Sequence, residues 1–575
     1  MKPVQLQPLT RHYLPKDFRL TALSSIQPYL QELDKRPLPN LDALMRWLHD
    51  LSELEAVVDE DISWRQIRVS QDTANREYEE AYRQFYQEIA PVLQQYAQRF
   101  REKLVSCPFV EQLDQRMFGP FLRQTRNAIA LFRPENIPLQ TELAMLQRKF
   151  GQYTGALTVQ LLGQELTLPQ AARFLEQSDR ALREEAFVQI ARARMRVVDQ
   201  LDALFDQLIE KRHQLAVQAG FPDYRAYRFR ELNRFDYTPT DCEAFHEAVE
   251  KHLLPLNARI LEKKRQELDL AVLRPWDVDA PPPGREALHP FQTADELVDR
   301  TLQCLDRVDE TFSGVLLAMQ RAGRLDLESR KNKAPGGFNC SLAETGLPFI
   351  FMNASGQWQD VVTLIHETGH AVHAVLTHDL PLQAFKEYPM EIAELASMSM
   401  ELFSMQAWDV YFQQPEEIHR ARRQQVERII TLLPWIATID AFQHWIYTHP
   451  HHTRAQRQEA WLQNLNRFST GQVEWSGWEA YRAISWQKQL HLFEVPFYYI
   501  EYGIAQLGAV AMWQAYSSNP EQAIQHYKQA LRLGNTRTLP ELYREAGIAF
   551  DFSPAYIQTL AGFLGEELEK VYAFA

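Results

Sequence analysis

The chain has 575 residues, 45% of them hydrophobic and 24% charged, which is the balance of a folded globular protein with a deep core and excludes a disordered or fibrous one. A formal charge of -14, with no dense Lys/Arg run, argues against a nucleic-acid or anionic-membrane footprint. The start Met-Lys-Pro-Val-Gln-Leu-Gln-Pro lacks an apolar core of signal-peptide length, and no eighteen-residue apolar run occurs, so a cytoplasmic protein without a membrane span is expected. The four cysteines, Cys107, Cys242, Cys304 and Cys340, are spaced too irregularly for a zinc knuckle or a disulfide framework. They read as reduced, mostly buried thiols, with Cys340 a small packing residue.

From Leu23 to about Phe132, apolar residues recur at three and four, as in Asp72-Thr-Ala-Asn-Arg-Glu-Tyr-Glu-Glu-Ala-Tyr, which predicts a bundle of long helices. Between Thr154 and Leu168 the period changes to two around Gly163, the mark of a short hairpin. The hairpin predicts a division into an N-terminal helical region, 1–150, and a second region, 151–575. Ser178-Asp179 reads as the cap of a further helix, and helical pattern runs on to about Gly220. Phe221-Pro-Asp-Tyr then turns into another helix. Pro, Gly and Asp crowd Leu273 to Leu288, which predicts an exposed loop before helix resumes at Thr293.

Lys333-Ala-Pro-Gly-Gly-Phe-Asn-Cys340 reads as a Gly-rich turn into extended chain. Phe349-Ile350-Phe351-Met352-Asn353 reads as a strand, either one arm of a plain hairpin or a free-edged strand able to pair with an extended peptide. Next comes Val361-Val-Thr-Leu-Ile-His366-Glu367-Thr-Gly-His370-Ala-Val-His373. On a helix of about 3.6 residues per turn, His366 and His370 share one face, suited to two imidazole ligands of a tetrahedral zinc. Glu367 lies close enough to act as general base on a water at that zinc.

A catalytic zinc wants three protein ligands and an open fourth position. The segment Met390-Glu-Ile-Ala-Glu394-Leu-Ala-Ser-Met-Ser-Met-Glu401 offers Glu394 and Glu401 seven apart on one face of a helix whose other residues are almost all apolar or small. Carboxylates in such surroundings need a metal or a hydrogen-bond partner. Glu394 is therefore the candidate third ligand, and Glu401 the candidate acceptor of a ligating histidine's other ring proton. His373 would close the open position if it ligated, so a supporting or packing role is favoured for it. His378, His444, His449, His451 and His452 have no ligand-like spacing to the motif and read as solvated or packing residues. The tail His491-Leu-Phe-Glu-Val-Pro-Phe-Tyr498-Tyr499-Ile-Glu-Tyr502 gathers groups able to donate to a tetrahedral oxyanion.

From about Gly155 onward these residues resemble the zinc metallopeptidases of the thimet oligopeptidase and oligoendopeptidase F type, closest to the oligoendopeptidase F branch. The resemblance rests on His366-Glu-Thr-Gly-His-Ala-Val-His373, Glu394-x-x-Ser397-x-x-x-Glu401, Pro348-Phe-Ile-Phe-Met-Asn353 and the Pro-Phe-Tyr-Tyr-x-x-Tyr-Gly tail. It implies one zinc per chain on His366, His370 and Glu394, with Glu367 activating water, His491 orienting substrate, and Tyr499 and Tyr502 on the oxyanion side. It also implies a mainly α fold of two halves around a deep substrate channel, with a small β element beside the zinc helix. The implied activity is hydrolysis of short unstructured peptides at internal bonds. A zinc carboxypeptidase or peptidyl-dipeptidase on the same scaffold, and a non-catalytic peptide-binding protein, stand as the alternatives. Oligomeric state is not readable from the chain.

Overall fold

A computed structural model describes residues 1–285, 287–334 and 336–573. Pro335, in the expected Gly-rich turn, and residue 286, in the expected 273–288 loop, lie outside the described residues. The chain is mainly helical, with five short strands among the described residues. None of the described helices is long and apolar enough to cross a membrane. The chain divides into two compact units, each assembled from three stretches: 1–130, 289–418 and 508–550 in the first, 131–288, 419–507 and 551–575 in the second. The division thus interleaves the chain, and most of the 1–150 helical region joins later segments.

In the first unit, Asn40 caps the long helix Leu41–Gln71 by accepting the Ala43 N–H at 2.8 Å. Its Trp47 is fully buried among Ile26, Leu30, Leu33, Phe100 and Leu104, and donates its indole N–H to the Leu33 carbonyl at 2.9 Å. The same apolar cluster takes in Leu382 and Phe385, with Phe118 edge-on to Phe385 at 5.0 Å between centroids. These N-terminal helices therefore brace the segment that leads into helix Met390–Ser404.

The second unit opens with the antiparallel hairpin of β1 (Thr158–Leu161) and β2 (Gln164–Thr167). Leu162 and Gly163 between them both have positive φ, 53° and 74°, which matches the two-residue turn that the twist of a hairpin favours. Asp179 caps helix Arg180–Met195 as its sequence predicts. The 273–288 segment departs from expectation. Leu273, Trp276, Asp277, Ala280 and Leu288 are buried, and Asp277 accepts hydrogen bonds from Arg180 and Arg183. Proline and glycine forbid regular helix there, but the Asp277 ion pairs hold the irregular chain inward.

A second sheet, in the first unit, has the order β3 (Leu325–Glu328), β5 (Phe349–Ala354), β4 (Phe338–Cys340). This corrects the expectation for Phe349, Ile350, Phe351, Met352 and Asn353: β5 is central, parallel to β3 and antiparallel to β4, and has no free edge over Phe349–Phe351. The physical reason is visible in the residues. Phe349 to Met352 are four consecutive buried side chains, the pattern of a strand covered on both faces, whereas an edge strand alternates. Asn353, half-buried, donates instead to the carbonyls of Ala334 and Gly336 and pins the turn before β4. The outer edge of the sheet on that side belongs to β4.

Candidate active site

The helix Trp358–Thr377 is held at its start by Asp360, whose carboxylate accepts the N–H groups of Ser355 and Gln357 at 2.7 and 2.9 Å. Its Val361, Val362, Leu364, Ile365, Ala371 and Val372 are buried, which leaves His366 and His370 half-buried on a shared face. Helix Met390–Ser404 packs on it through Gly369. A Cβ on Gly369 would stand 2.6 Å from Ser397 Cα and 3.0 Å from the Ala396 carbonyl oxygen, so only glycine permits this approach. Gly369→Ala is expected to push the helices apart, to cost about 1–3 kcal/mol as overpacking does, and to abolish stoichiometric metal binding. An unchanged melting temperature with full metal content would refute that role.

The close approach brings together the groups expected from sequence. Ligand atoms of His366, His370 and Glu394 lie within 4.8 Å of one another, with Glu394 Oε2 3.4 Å from His366 Nε2 and 3.9 Å from His370 Nε2. His366 Nδ1 stands 2.7 Å from Glu401 Oε1. With Nδ1–H donating to that carboxylate, Nε2 is left as a lone-pair donor toward Glu394 and His370. Ser397 donates to Glu394 Oε2 at 3.3 Å. Two imidazoles and one carboxylate are the donor set of a three-ligand catalytic zinc, and the residues fit that ion.

The electrostatics point the same way. Burial alone pushes His366 down, but hydrogen bonds to Glu394 and Glu401 and their charges overcome it and hold the ring well above its ordinary value. The carboxylates thus draw positive charge to the place where a dication would sit. Desolvation, and then the positive charge on His366, push half-buried His370 down to about 4. Burial, and then the charges of Glu394 and Glu401, raise Glu367 to about 7. Asn339 of β4 donates to the Glu367 carbonyl at 3.1 Å and fixes β4 against the motif helix. His373 is fully buried and stacked flat on Tyr388, with centroids 3.5 Å apart, which makes it a packing residue. His378 lies 2.8 Å from the Gln7 carbonyl.

His491, Tyr499 and Tyr502 belong to the second unit, where they form one aromatic group with Tyr498. The His491 ring lies 4.8 Å from Tyr499 and 5.9 Å from Tyr502 between centroids. Burial pushes His491 down to about 4, so the ring is neutral. Gln489 donates to Nδ1 at 2.7 Å, which leaves Nε2–H as its own donor. Tyr499 is buried and its hydroxyl bonds Trp435 and Gln489, while Tyr502 is half-buried.

Three arginines that the sequence reading passed over shape this segment. Arg212 donates to the carbonyls of Leu492 and Phe493, Arg228 to Pro496, and Arg234 to Phe497. Phe497 itself has φ of 65°, a left-handed conformation unusual for a bulky residue, and its N–H is taken by Gln443. A signal existed for Arg212, because it interrupts the buried stripe Leu208, Ile209, Leu215 and Ala216 of helix Val198–Gln218. Arg212→Met is expected to destabilise the protein by about 1.5–3 kcal/mol for each charge-assisted bond lost and to lower kcat with metal content unchanged. Urea unfolding and metal analysis check it; wild-type stability would refute the clamp.

A helix-borne His-Glu-x-x-His facing a second helix that supplies a carboxylate as the third donor is the arrangement of a metallopeptidase. The chain belongs to peptidase family M3: the model for Peptidase family M3 matches residues 173–562, and that for the Peptidase M3 N-terminal domain matches residues 18–132. The second match covers the motif-free N-terminal helices. Oligopeptidase PepF of Bacillus subtilis (strain 168) is 21% identical over 417 residues, 71% of this chain and 60% of that protein. Aligned stretches cover between 25% and 60% of the curated relatives' own lengths. The fold matches PZ peptidase A, solved with an inhibitor, with a TM-score of 0.87 at 24% identity over 95% of this chain and 96% of that one. It also matches oligoendopeptidase F from Enterococcus faecium, with a TM-score of 0.67 at 16% identity over 96% and 97%.

Proposed function

We propose that the protein is a zinc-dependent oligoendopeptidase that hydrolyses short unstructured peptides at internal bonds. The observation that carries this reading is the convergence of His366, His370 and Glu394 with a buried Glu367 beside them. Family membership and relatives named oligopeptidase and oligoendopeptidase F support it. Zinc, when bound there, supplies a Lewis acid and brings water within reach of deprotonation near about pH 7.

The rest is the work of the chain's own side chains. Glu367, raised to about 7, takes a proton from the attacking water and passes it to the leaving amine. Glu401 holds His366 in the ligating tautomer. Within the second unit, neutral His491 offers its Nε2–H and half-buried Tyr502 its hydroxyl as the kind of donors an oxyanion needs, and Tyr499, bonded through Trp435 and Gln489, braces His491. An extended substrate adds to the outer edge of β4, in place of the expected β5, because β4 is the edge strand and touches the motif helix through Asn339. The resemblance implies that substrates are limited to short chains. Four free cysteines suit a reducing compartment, and a cytoplasmic site of action is part of the reading.

The test is an end-blocked, internally quenched peptide incubated with zinc-analysed protein, with products identified by mass. Internal cleavage is the expected result. Activity only on peptides with a free C-terminus would favour the carboxypeptidase or dipeptidase reading, and no hydrolysis at full zinc content would favour a binding protein.

A further inference from the structure

A second donor set, sharing no residue with the motif site, is buried in the second unit. Helix Pro239–Ala248 carries Cys242 and His246, and helix Pro415–Thr448 carries Asp440 and His444. Each pair is four residues apart, so each projects from one helix face. Ligand atoms of Cys242, Asp440 and His444 all lie within 4.8 Å of one another. The three side chains are 1%, 0% and 6% exposed.

The hydrogen bonding around them is incomplete in a particular way. His246 Nε2–H donates to Asp440 Oδ2 at 2.9 Å, which fixes that carboxylate. His444 Nε2 stands 3.2 Å from the same Oδ2, while the other oxygen, Oδ1, is buried with no hydrogen-bond partner. A buried carboxylate oxygen left without a donor is unfavourable unless a cation answers it. Phe229 and Phe497, with centroids 6.0 and 5.4 Å from His444, and Phe468, 6.2 Å from His246, wall the cluster with apolar rings.

We propose that Cys242, Asp440 and His444 form a second metal site for a divalent cation of the zinc type, with His246 orienting Asp440. A sulfur, a nitrogen and an oxygen donor suit zinc, whereas calcium and magnesium take oxygen alone. On binding, the Cys242 thiol releases its proton to solvent. Thiolate and carboxylate then balance the dication, so a neutral complex answers the unpaired Asp440 Oδ1 in an apolar shell. Arg225 Nη1 stands 3.3 Å from His444 Nδ1 and 3.6 Å from Glu243 Oε1, so it has a second partner when Nδ1 carries the proton that ligation through Nε2 requires. The site ties helix Pro239–Ala248 to helix Pro415–Thr448.

Cobalt(II) reports on it in the full-length protein, because the motif site has no sulfur. The expected result is two metal ions per chain and a thiolate-to-cobalt charge-transfer band. The band should persist, with one ion per chain, in Glu394→Ala, and in Cys340→Ser, which alters the half-buried thiol, with both ions. It should vanish with one ion lost in Cys242→Ser. No thiolate band in the native chain, or Cys242→Ser with both ions bound, would overturn the site. Should Cys242→Ser fail to fold, Glu394→Ala decides alone: one ion with the band supports the site, and no ion and no band refutes it. Loss of peptidase activity leaves these readings untouched, so failure of the proposed function is distinguishable.

Discussion

Glu367→Gln keeps its zinc and loses roughly 10³-fold in kcat, within the range of about 10²–10⁴ that a positioned general base supplies. The exchange is nearly isosteric and removes only the proton acceptor. Glu367 is 8% exposed and its backbone carbonyl is fixed by Asn339, so the glutamine occupies the same space. Neither His366 nor His370 depends on the Glu367 carboxylate for its position, since His366 is held by Glu401 and both face Glu394. KM for a quenched peptide therefore stays near the wild-type value while kcat falls. Metal analysis alongside steady-state kinetics checks it, and a glutamine variant within tenfold of wild type would sink the general-base assignment.

Glu394→Ala has the opposite signature: the metal leaves and activity goes with it. The carboxylate lies within 4 Å of both imidazoles and is 5% exposed, so no solvent-borne group replaces it without a rearrangement of helix Met390–Ser404. Glu401→Gln supplies the calibration. It weakens the orienting bond to His366 without deleting a ligand, and is expected to lower zinc affinity by about 10–100-fold. The loss in Glu394→Ala must exceed that. Competition with a chelator ranks the two, and equal affinities would remove Glu394 from the ligand set.

The motif site was legible because helical spacing is a local rule. His366 and His370 share a face by arithmetic, and Glu394 and Glu401 betray themselves as carboxylates among apolar neighbours. The hairpin at Leu162-Gly163 was legible for the same reason. What escaped was set by pairing across the chain. Whether Phe349–Asn353 sits at an edge depends on Leu325–Glu328, which the sequence reading had no means of placing beside it. The backbone partners of Arg212, Arg228 and Arg234 lie more than two hundred residues away. Cys242 was read with the other cysteines as a buried thiol, and His444 against the motif, to which it has no ligand spacing. Their relation appears only when Cys242-x-x-x-His246 and Asp440-x-x-x-His444 are set side by side.

The interleaving of the chain also sets when the enzyme comes into being. The helix that carries Glu394 is packed by residues from the far end of the sequence: Gly508 faces Leu395 and Tyr543, and the Tyr527 hydroxyl donates to the Ala396 carbonyl at 2.8 Å. A ribosome that has released residues 1–418 has made His366, His370 and Glu394 and none of this support. The packing around helix Met390–Ser404 is therefore complete only once the third stretch, Gly508–Phe550, has emerged. Nascent chains halted earlier carry the whole motif without the packing that holds it, which separates possession of the chemistry from its use during synthesis.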